Sequence, residues 1–357
     1  MSFYTCESDF IVGKVGKLRR YLVCSMEGYF PVLVRTGENS LAVIFRTGGP
    51  HIGLSATLAV ARSDDGGRSW GDPVEITPRW SDARNPAFGV NGEGRLIAAY
   101  WKAKNSYDPE KAKNGAARFE GDTGLPSAGC FYQFSRDGGR TWDGERPLVL
   151  DAPELSLCCP YGRIVADKDG TLYMNVYGAV KGGADRSYIL RSRNGGDSWG
   201  DATLFGEGYN ETAFCFLRDG SMVAAARDID GAVQIAKSTD RGRSWGEIKR
   251  VTRAGEHPAD LCELSGGELL MTYGRRIRPM GCGGLVSRDG GETWDYLREI
   301  ILAGDGGGGD LGYPSTVRLG DGSLNTALYY ANGSEPEHAC WGAVSCQMIK
   351  YEERDIL

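Results

Sequence analysis

The sequence predicts an all-β protein, a six-bladed β-propeller formed as one domain over residues 1–357. Three observations carry that expectation: an octet written five times, a two-strand unit written six times, and a glycine count of 53 that suits many tight turns. The octets are SDDGGRSW (63–70), SRDGGRTW (135–142), SRNGGDSW (192–199), STDRGRSW (238–245) and SRDGGETW (287–294). Their shared pattern is S-x-D/N-x-G-x-S/T-W. The fixed Gly supplies the positive φ of a tight turn, and the Asp or Asn two residues earlier can bond the turn backbone. The Trp then closes over the turn as an apolar plug. Each octet reads as a structural hairpin turn, and its recurrence every 46 to 72 residues reads as a propeller.

Upstream of each octet lie two short apolar runs split by a turn. They are YFPVLVRTGENSLAVIFR (29–46), RNPAFGVNGEGRLIAAYW (84–101), CPYGRIVADKDGTLYMNVY (159–177), NETAFCFLRDGSMVAAAR (210–227) and HPADLCELSGGELLMTYG (257–274). A sixth, YPSTVRLGDGSLNTALYY (313–330), has no octet after it. Runs of about six residues rich in Val, Ile, Leu and Tyr, divided by D-G, G-E or G-G, are hairpin strands. Six such units of about four strands each give six blades. The late stretch GAVSCQMIKYE (342–352) and the early FIVGKV (10–15) can complete the last blade and close the ring, which removes exposed sheet edges.

Composition narrows the function classes. A net charge of −6 and the lack of any long basic block argue against nucleic acid or an anionic membrane as partner. No 18-residue apolar run is present to span a bilayer. The opening MSFYTCESDF shows no basic start followed by an apolar stretch, so a cytoplasmic protein without a secretory signal is expected. The ten Cys include no C-x-x-C, and Cys215, Cys262, Cys340 and Cys346 sit inside apolar runs, where Cys acts as a small hydrophobe. Neither a disulfide framework nor a metal site is expected, with only His51, His257 and His338 available, and no cofactor is implied.

In a propeller the first strand of each blade lines the central channel. The start of strand one and the end of strand two lie at the same end of an antiparallel pair. Two rings of residues should therefore meet at one mouth. The starts are Tyr29/Phe30, Arg84/Asn85, Cys159, Asn210/Glu211, Glu256/His257 and Tyr313. The ends are Arg46, Trp101, Tyr177, Arg227, Gly274 and Tyr329, with Arg275 next in the chain. Several Arg, two Glu and several aromatics aimed at one axis suit a polar, sugar-like anion, because clustered Arg favours a carboxylate through paired hydrogen bonds.

With these units in view the sequence resembles the sialidase (neuraminidase) superfamily, six-bladed propellers whose octets are called Asp-boxes or bacterial neuraminidase repeats. The resemblance covers nearly the whole chain. It implies that NETAFCFLRDGSMVAAARD carries a site Glu, Glu211, and a substrate Arg, Arg227. It implies that GYPSTVRLGDGSLNTALYY carries the Tyr nucleophile, Tyr313. It implies a further substrate Arg in TYGRRIRPMGCGG, either Arg275 or Arg278. A phenol titrates near 10 and is a poor nucleophile at neutral pH, so a carboxylate beside it must take its proton. Sialidases depart in this way from two-carboxylate glycoside hydrolysis.

The sequence departs from the family pattern twice. The usual Arg-Ile-Pro-like triplet of the first blade reads Tyr29-Phe30-Pro31, leaving Arg46 or Arg84 as replacements for the missing Arg. The loop that usually holds the acid/base Asp reads RTGGPHIGLSATLAVARS (46–63) and has no carboxylate. His51 is its only titrating candidate, an imidazole being suited to acid/base work near neutrality, and Asp82 is the fallback. Trp101 and Tyr177 are expected as aromatic walls, and the insertion 105–124 as a lid or a solvated loop. The expected partner is a carbohydrate, an acidic glycoside cleaved at its terminal sialic or related 2-keto acid sugar. A propeller glycosidase of different sugar specificity, a lyase or transglycosidase on the same scaffold, and an inert sugar-binding propeller are the competing readings.

Overall fold

The computed structural model of the chain describes residues 8–12, 15–25, 27–49, 51, 56–79, 81–103, 127–149, 158–180, 183–331 and 344–357. The insertion 105–124, and residues 52–55 of the loop after His51, lie outside the described residues. Among those described, the strands form five sheets in an all-β, propeller-like arrangement. One sheet runs Tyr29–Arg35, Leu41–Thr47, Thr57–Ser63 and Val74–Glu75, each antiparallel to the last. The stretches Tyr209–Phe216 to Lys249–Arg250 and Glu256–Glu263 to Ile300–Ala303 repeat that four-stranded meander. The closing sheet starts at Gly312–Arg318, continues through Ser323–Ala331 and Val344–Glu352, and takes Val15–Cys24 and Ser8–Val12 on its outer edge. The two ends of the chain thus meet in one sheet.

Six separate sheets were the expectation, and the difference has a local cause. The fifth sheet has eight strands, two meanders joined through their first strands, Ala83–Val90 and Cys159–Ala166. These pair in parallel at Ala87–Gly162, Phe88–Arg163 and Gly89–Ile164. Gly89 permits the approach: a Cβ there would sit 2.5 Å from the Ile164 Cβ. The two strands come within ladder distance instead of diverging around the channel.

Strand patterning follows from burial on both faces. Along Leu41–Thr47, Leu41, Val43 and Phe45 enter a cluster with Val317, Ala327 and Met348 of the closing sheet. Ala42 and Ile44 enter a different cluster with Phe88, Leu96 and Ala98 of the following meander. Alternate side chains of a strand point to opposite faces, so a sheet packed on both sides reads as a continuous apolar run. The same alternation links each meander to the next around the molecule.

The octets sit between the third and fourth strands of their meanders. In the first, Ser63 Oγ donates to Asp65 Oδ1 at 2.8 Å, the Gly67 amide donates to Ser63 Oγ at 2.9 Å, and the Ser69 amide donates to Asp65 Oδ1 at 2.9 Å. The other four make equivalent bonds, with Asn194 in the Asp role of the third. The fixed glycines 67, 139, 196, 242 and 291 all have φ between +75° and +97°. The Trp plugs do not form private cores. Trp70, Trp142, Trp199, Trp245 and Trp294 each join a different cluster between meanders. An octet therefore pins a turn and seals the seam between neighbouring meanders.

Candidate active site

Five of the six first strands have a register irregularity at their start, and in Cys159–Ala166 it comes later, between Tyr161 and Val165. The register slips between Tyr29 and Val32, Arg84 and Ala87, Glu256 and Ala259, and Gly312 and Ser315. At the slip Phe30, Asn85 and Tyr313 hold φ of +51°, +43° and +52°, with Pro following each. A bulge re-aims a side chain, and the left-handed conformation is costly for a bulky residue, so the surrounding packing must hold it. The expected strand-start and strand-end rings do meet: Tyr29 pairs with Arg46, Arg84 with Trp101, Cys159 with Tyr177 and Gly312 with Tyr329.

Tyr313 and Glu211, 102 residues apart, form the centre of the mouth. The Tyr313 hydroxyl donates to Glu211 Oε1, and Glu211 Oε2 accepts from Arg227 Nη1 at 2.8 Å. Tyr313 and Glu211 are 7% and 3% exposed. Burial, then the Glu211 charge, push the Tyr313 phenol well above its ordinary range, while Arg227 and Arg276 pull the other way. The phenol therefore rests as a neutral donor to a carboxylate that can take its proton. Phe30 and Tyr161 pack on its ring at 4.9 and 6.1 Å between centroids. Tyr177 stands beside Tyr161 at 6.5 Å and accepts a hydrogen bond from Asn85 Nδ2 at 2.8 Å.

The fifth-unit Arg in the mouth is neither Arg275 nor Arg278. Arg276 lies 6.0 Å from the Tyr313 ring centre, and its Nε and Nη2 are buried without a hydrogen-bond partner. Strand alternation explains the choice. Tyr273 and Arg275 share one face, where Tyr273 donates to Glu299. Gly274 and Arg276 share the other, where a Cβ on Gly274 would stand 3.0 Å from the Gly312 Cα. Arg275 is a brace instead, bonding Glu299 at 3.1 Å and the carbonyls of Ile277 and Pro279 at 3.1 and 2.8 Å. Arg278 is exposed and makes no hydrogen bond or ion pair among the described residues. Beside Arg276 lies His257, 6% exposed, with Nδ1 unpartnered. Burial and the charges of Arg227 and Arg276 lower its pKa to about 2, so it is neutral. Sequence reasoning named Glu256/His257 only as a ring position and missed Arg276 altogether; the R-R dipeptide, read with period two, was the available signal.

Arg46 and Arg84 do not line the mouth. Both clasp Asp82, at 2.7 and 2.6 Å, and are 0% and 2% exposed. Arg46 follows Ile44 on the face that packs against the next meander, where its Nη1 also donates to the Ala83 carbonyl. Burial draws the Arg46 pKa down to about 10 despite Asp82. Trp101 is 3% exposed beneath the Arg84 guanidinium, a core residue rather than a wall. Asp82 is equally unsuited as an acid: burial pushes its pKa up, but the two Arg outweigh it and hold the carboxyl below the usual range. Asp82→Asn should cost about 3–5 kcal/mol by leaving two buried cations without their anion. Because the folded pKa is depressed, Asp82 stabilises above its unfolded pKa of about 3.9 and loses that effect as pH falls through the lower folded value. Thermal unfolding of both proteins across pH should show a large gap at neutrality that narrows in acid.

His51 is at the rim, its side chain 25% exposed, with the Phe30 and Tyr29 rings 4.8 and 5.4 Å away. Its Nδ1 lies 2.8 Å from Oδ1 of Asp310, a carboxylate in the glycine-rich stretch 303–312. Among the described residues no cluster of three or more His, Cys, Asp or Glu could hold a metal ion, and no helix is long and apolar enough to cross a membrane.

Comparison with known proteins adds family context to this geometry. Residues 119–326 match the family model of the BNR repeat-like domain. No curated protein matches the sequence. Among solved structures, a Dyadobacter fermentans protein of unknown function aligns with a TM-score of 0.74 at 20% identity, covering 93% of this chain and 98% of its own. The Hadza microbial sialidase Hz136 aligns at 0.71 and 18% identity, covering 93% and 66% respectively. A Trypanosoma rangeli sialidase, solved with 2,3-difluorosialic acid as a covalent intermediate, aligns at 0.66 and 14% identity, covering 92% and 54%. The chain thus spans about two thirds of one sialidase and about half of the other, and at these identities the likeness is one of fold.

Proposed function

Because the chain belongs to the BNR repeat-like domain family and has the sialidase fold, we propose that it is a retaining exo-glycosidase acting on a terminal acidic sugar, with Tyr313 as nucleophile. The observation that carries this reading is the Tyr313–Glu211 hydrogen bond inside a mouth that also holds an unpartnered guanidinium. A sugar-binding module has no need of a buried phenol–carboxylate pair. We read the eight-stranded sheet as two blades joined at their first strands, which brings the blade count to six.

The residues divide the work as follows. Arg227 neutralises Glu211 and so cannot serve as the sole anion receptor. Arg276 makes no side-chain hydrogen bond or ion pair among the described residues, so the substrate carboxylate is its natural partner, with neutral His257 as a further polar neighbour. In the first step the Tyr313 oxygen attacks the anomeric carbon, its proton passes to Glu211, and the leaving oxygen takes a proton from His51. In the second step His51 removes a proton from water, water attacks the anomeric carbon, and Tyr313 leaves and regains its proton from Glu211. Each step inverts the anomeric centre, so the product retains configuration. A neutral phenol, beside a carboxylate countered by Arg227, also spares an anionic sugar the approach of a bare phenolate.

A panel of aryl glycosides tests the reading: 2-keto acid sugars should be hydrolysed with retention, and neutral hexosides should not. Turnover confined to neutral hexosides would remove the anion assignment, and silence across the panel from folded protein would favour a binder.

A further inference from the structure

The candidate acid/base does not stand alone. His51 Nδ1 lies 2.8 and 3.0 Å from the two oxygens of Asp310, and the Tyr329 hydroxyl donates to Asp310 Oδ1 at 2.7 Å. The Asp310 side chain is 12% exposed and Tyr329 is 0% exposed, whereas His51 reaches the rim. The three groups come from three parts of the chain: the loop after Leu41–Thr47, the loop before Tyr313, and the end of the strand Ser323–Ala331. Among the described residues, His51 Nε2 has no hydrogen-bond partner.

We propose that Asp310, itself fixed by Tyr329, is a positioning residue that holds His51 as the acid/base of the glycosidase reaction. The inference rests on the function proposed above. A carboxylate on Nδ1 fixes the tautomer and ring orientation and leaves Nε2 to carry the working proton. The groups facing His51 are Asp310, Tyr29 and Tyr329 with the Phe30 ring, and Arg276 acts on Asp310 from behind. Burial works against the Asp310 charge, but the His51 ring and the Tyr329 hydroxyl outweigh it and hold the carboxyl below its usual range. Asp310 is therefore an anion at neutral pH, able to accept from His51 Nδ1.

The backbone makes the placement firm. Leu311 is fully buried, and Gly312 has φ of +117° with its Cα so close to Gly274 that a Cβ would lie 2.8 Å from the Gly274 Cα. Asp310 and Tyr313 flank this point, so one anchored tetrapeptide, residues 310–313, sets both the nucleophile and the partner of the acid/base. The family pattern usually places an Asp in the loop that here contains His51. In this chain a histidine occupies that loop, and the carboxylate arrives from a different one.

Asp310→Asn keeps the shape and removes the charge. In this variant kcat/KM for alkyl glycosides, whose leaving groups need protonation, should fall about 10²-fold or more, against less than about tenfold for a dinitrophenyl glycoside. Asp310→Glu should recover part of the loss, and Tyr329→Phe should produce a smaller loss of the same kind. Independently of turnover, nitrogen-15 NMR of histidine-labelled protein, with His51 identified by His51→Gln, should show neutral His51 protonated on Nδ1 in the parent and the Nε2 tautomer gaining population in Asp310→Asn. Equal losses for both leaving groups, or an unchanged His51 tautomer, would overturn the inference. If the parent protein cleaves no glycoside, the proposed function fails, and the tautomer still decides whether Asp310 positions His51.

Discussion

Replacing Tyr313 by Phe should lower kcat for an acidic aryl glycoside by about 10³-fold or more while ligand affinity changes little, since loss of a nucleophile removes a bond made only along the reaction path. The Phe ring keeps the packing against Phe30, Tyr161 and Tyr329, which lie 4.9, 6.1 and 5.6 Å away. It removes only the hydroxyl that donates to Glu211, which retains Arg227. Fold and mouth should survive, so calorimetric binding of a non-hydrolysable acidic sugar should stay within about threefold of the parent. A parallel loss of binding and turnover would instead assign Tyr313 to the wall of the site.

The second large effect concerns Arg276. Arg276→Met should raise KM for a carboxylate-bearing sugar about 100-fold or more, the order expected for loss of a desolvated charge-assisted pair. The same change should leave the ligand-free protein as stable as the parent or more so. Two of its guanidinium nitrogens are buried with no partner, and such groups destabilise a fold until a ligand satisfies them. Arg275→Met should behave oppositely, lowering the unfolding temperature by cutting the bonds to Glu299, Ile277 and Pro279 while KM moves little. Michaelis kinetics and thermal unfolding on the two variants give a crossed pattern that neighbouring positions would not otherwise produce.

That contrast marks what the sequence makes legible. Turn signals and apolar runs are local, so the strand pairs and even their facing partners, such as Tyr29 with Arg46 and Arg84 with Trp101, follow from aligning the units on their turns. Glu211, Arg227 and Tyr313 are legible because the sialidase resemblance carries each of them inside a contiguous motif. What is not local is the sense of each side chain where a strand ends. Arg46 and Arg84 stand at the expected height, yet they point between sheets toward Asp82, whose own place depends on a loop between meanders. Arg276 is one residue beyond Arg275, and a one-residue step reverses the face. Asp310 sits among glycines with no periodicity to read, and its pairing with His51 spans 259 residues. The merged eight-stranded sheet rests on Gly89, whose missing side chain has no pattern of its own.

The central claim is that a phenol, not a carboxylate or water, takes the sugar in the first step. Incubation with a 2,3-difluoro 2-keto acid sugar, followed by proteolysis and mass spectrometry, tests it directly. Cleavage after Arg298 and Arg318 releases a peptide with Tyr313 as its only tyrosine. The adduct mass should appear on that peptide and vanish in Tyr313→Phe. Label on the peptide that contains Glu211, or rapid product release with no label on any peptide, would contradict the account.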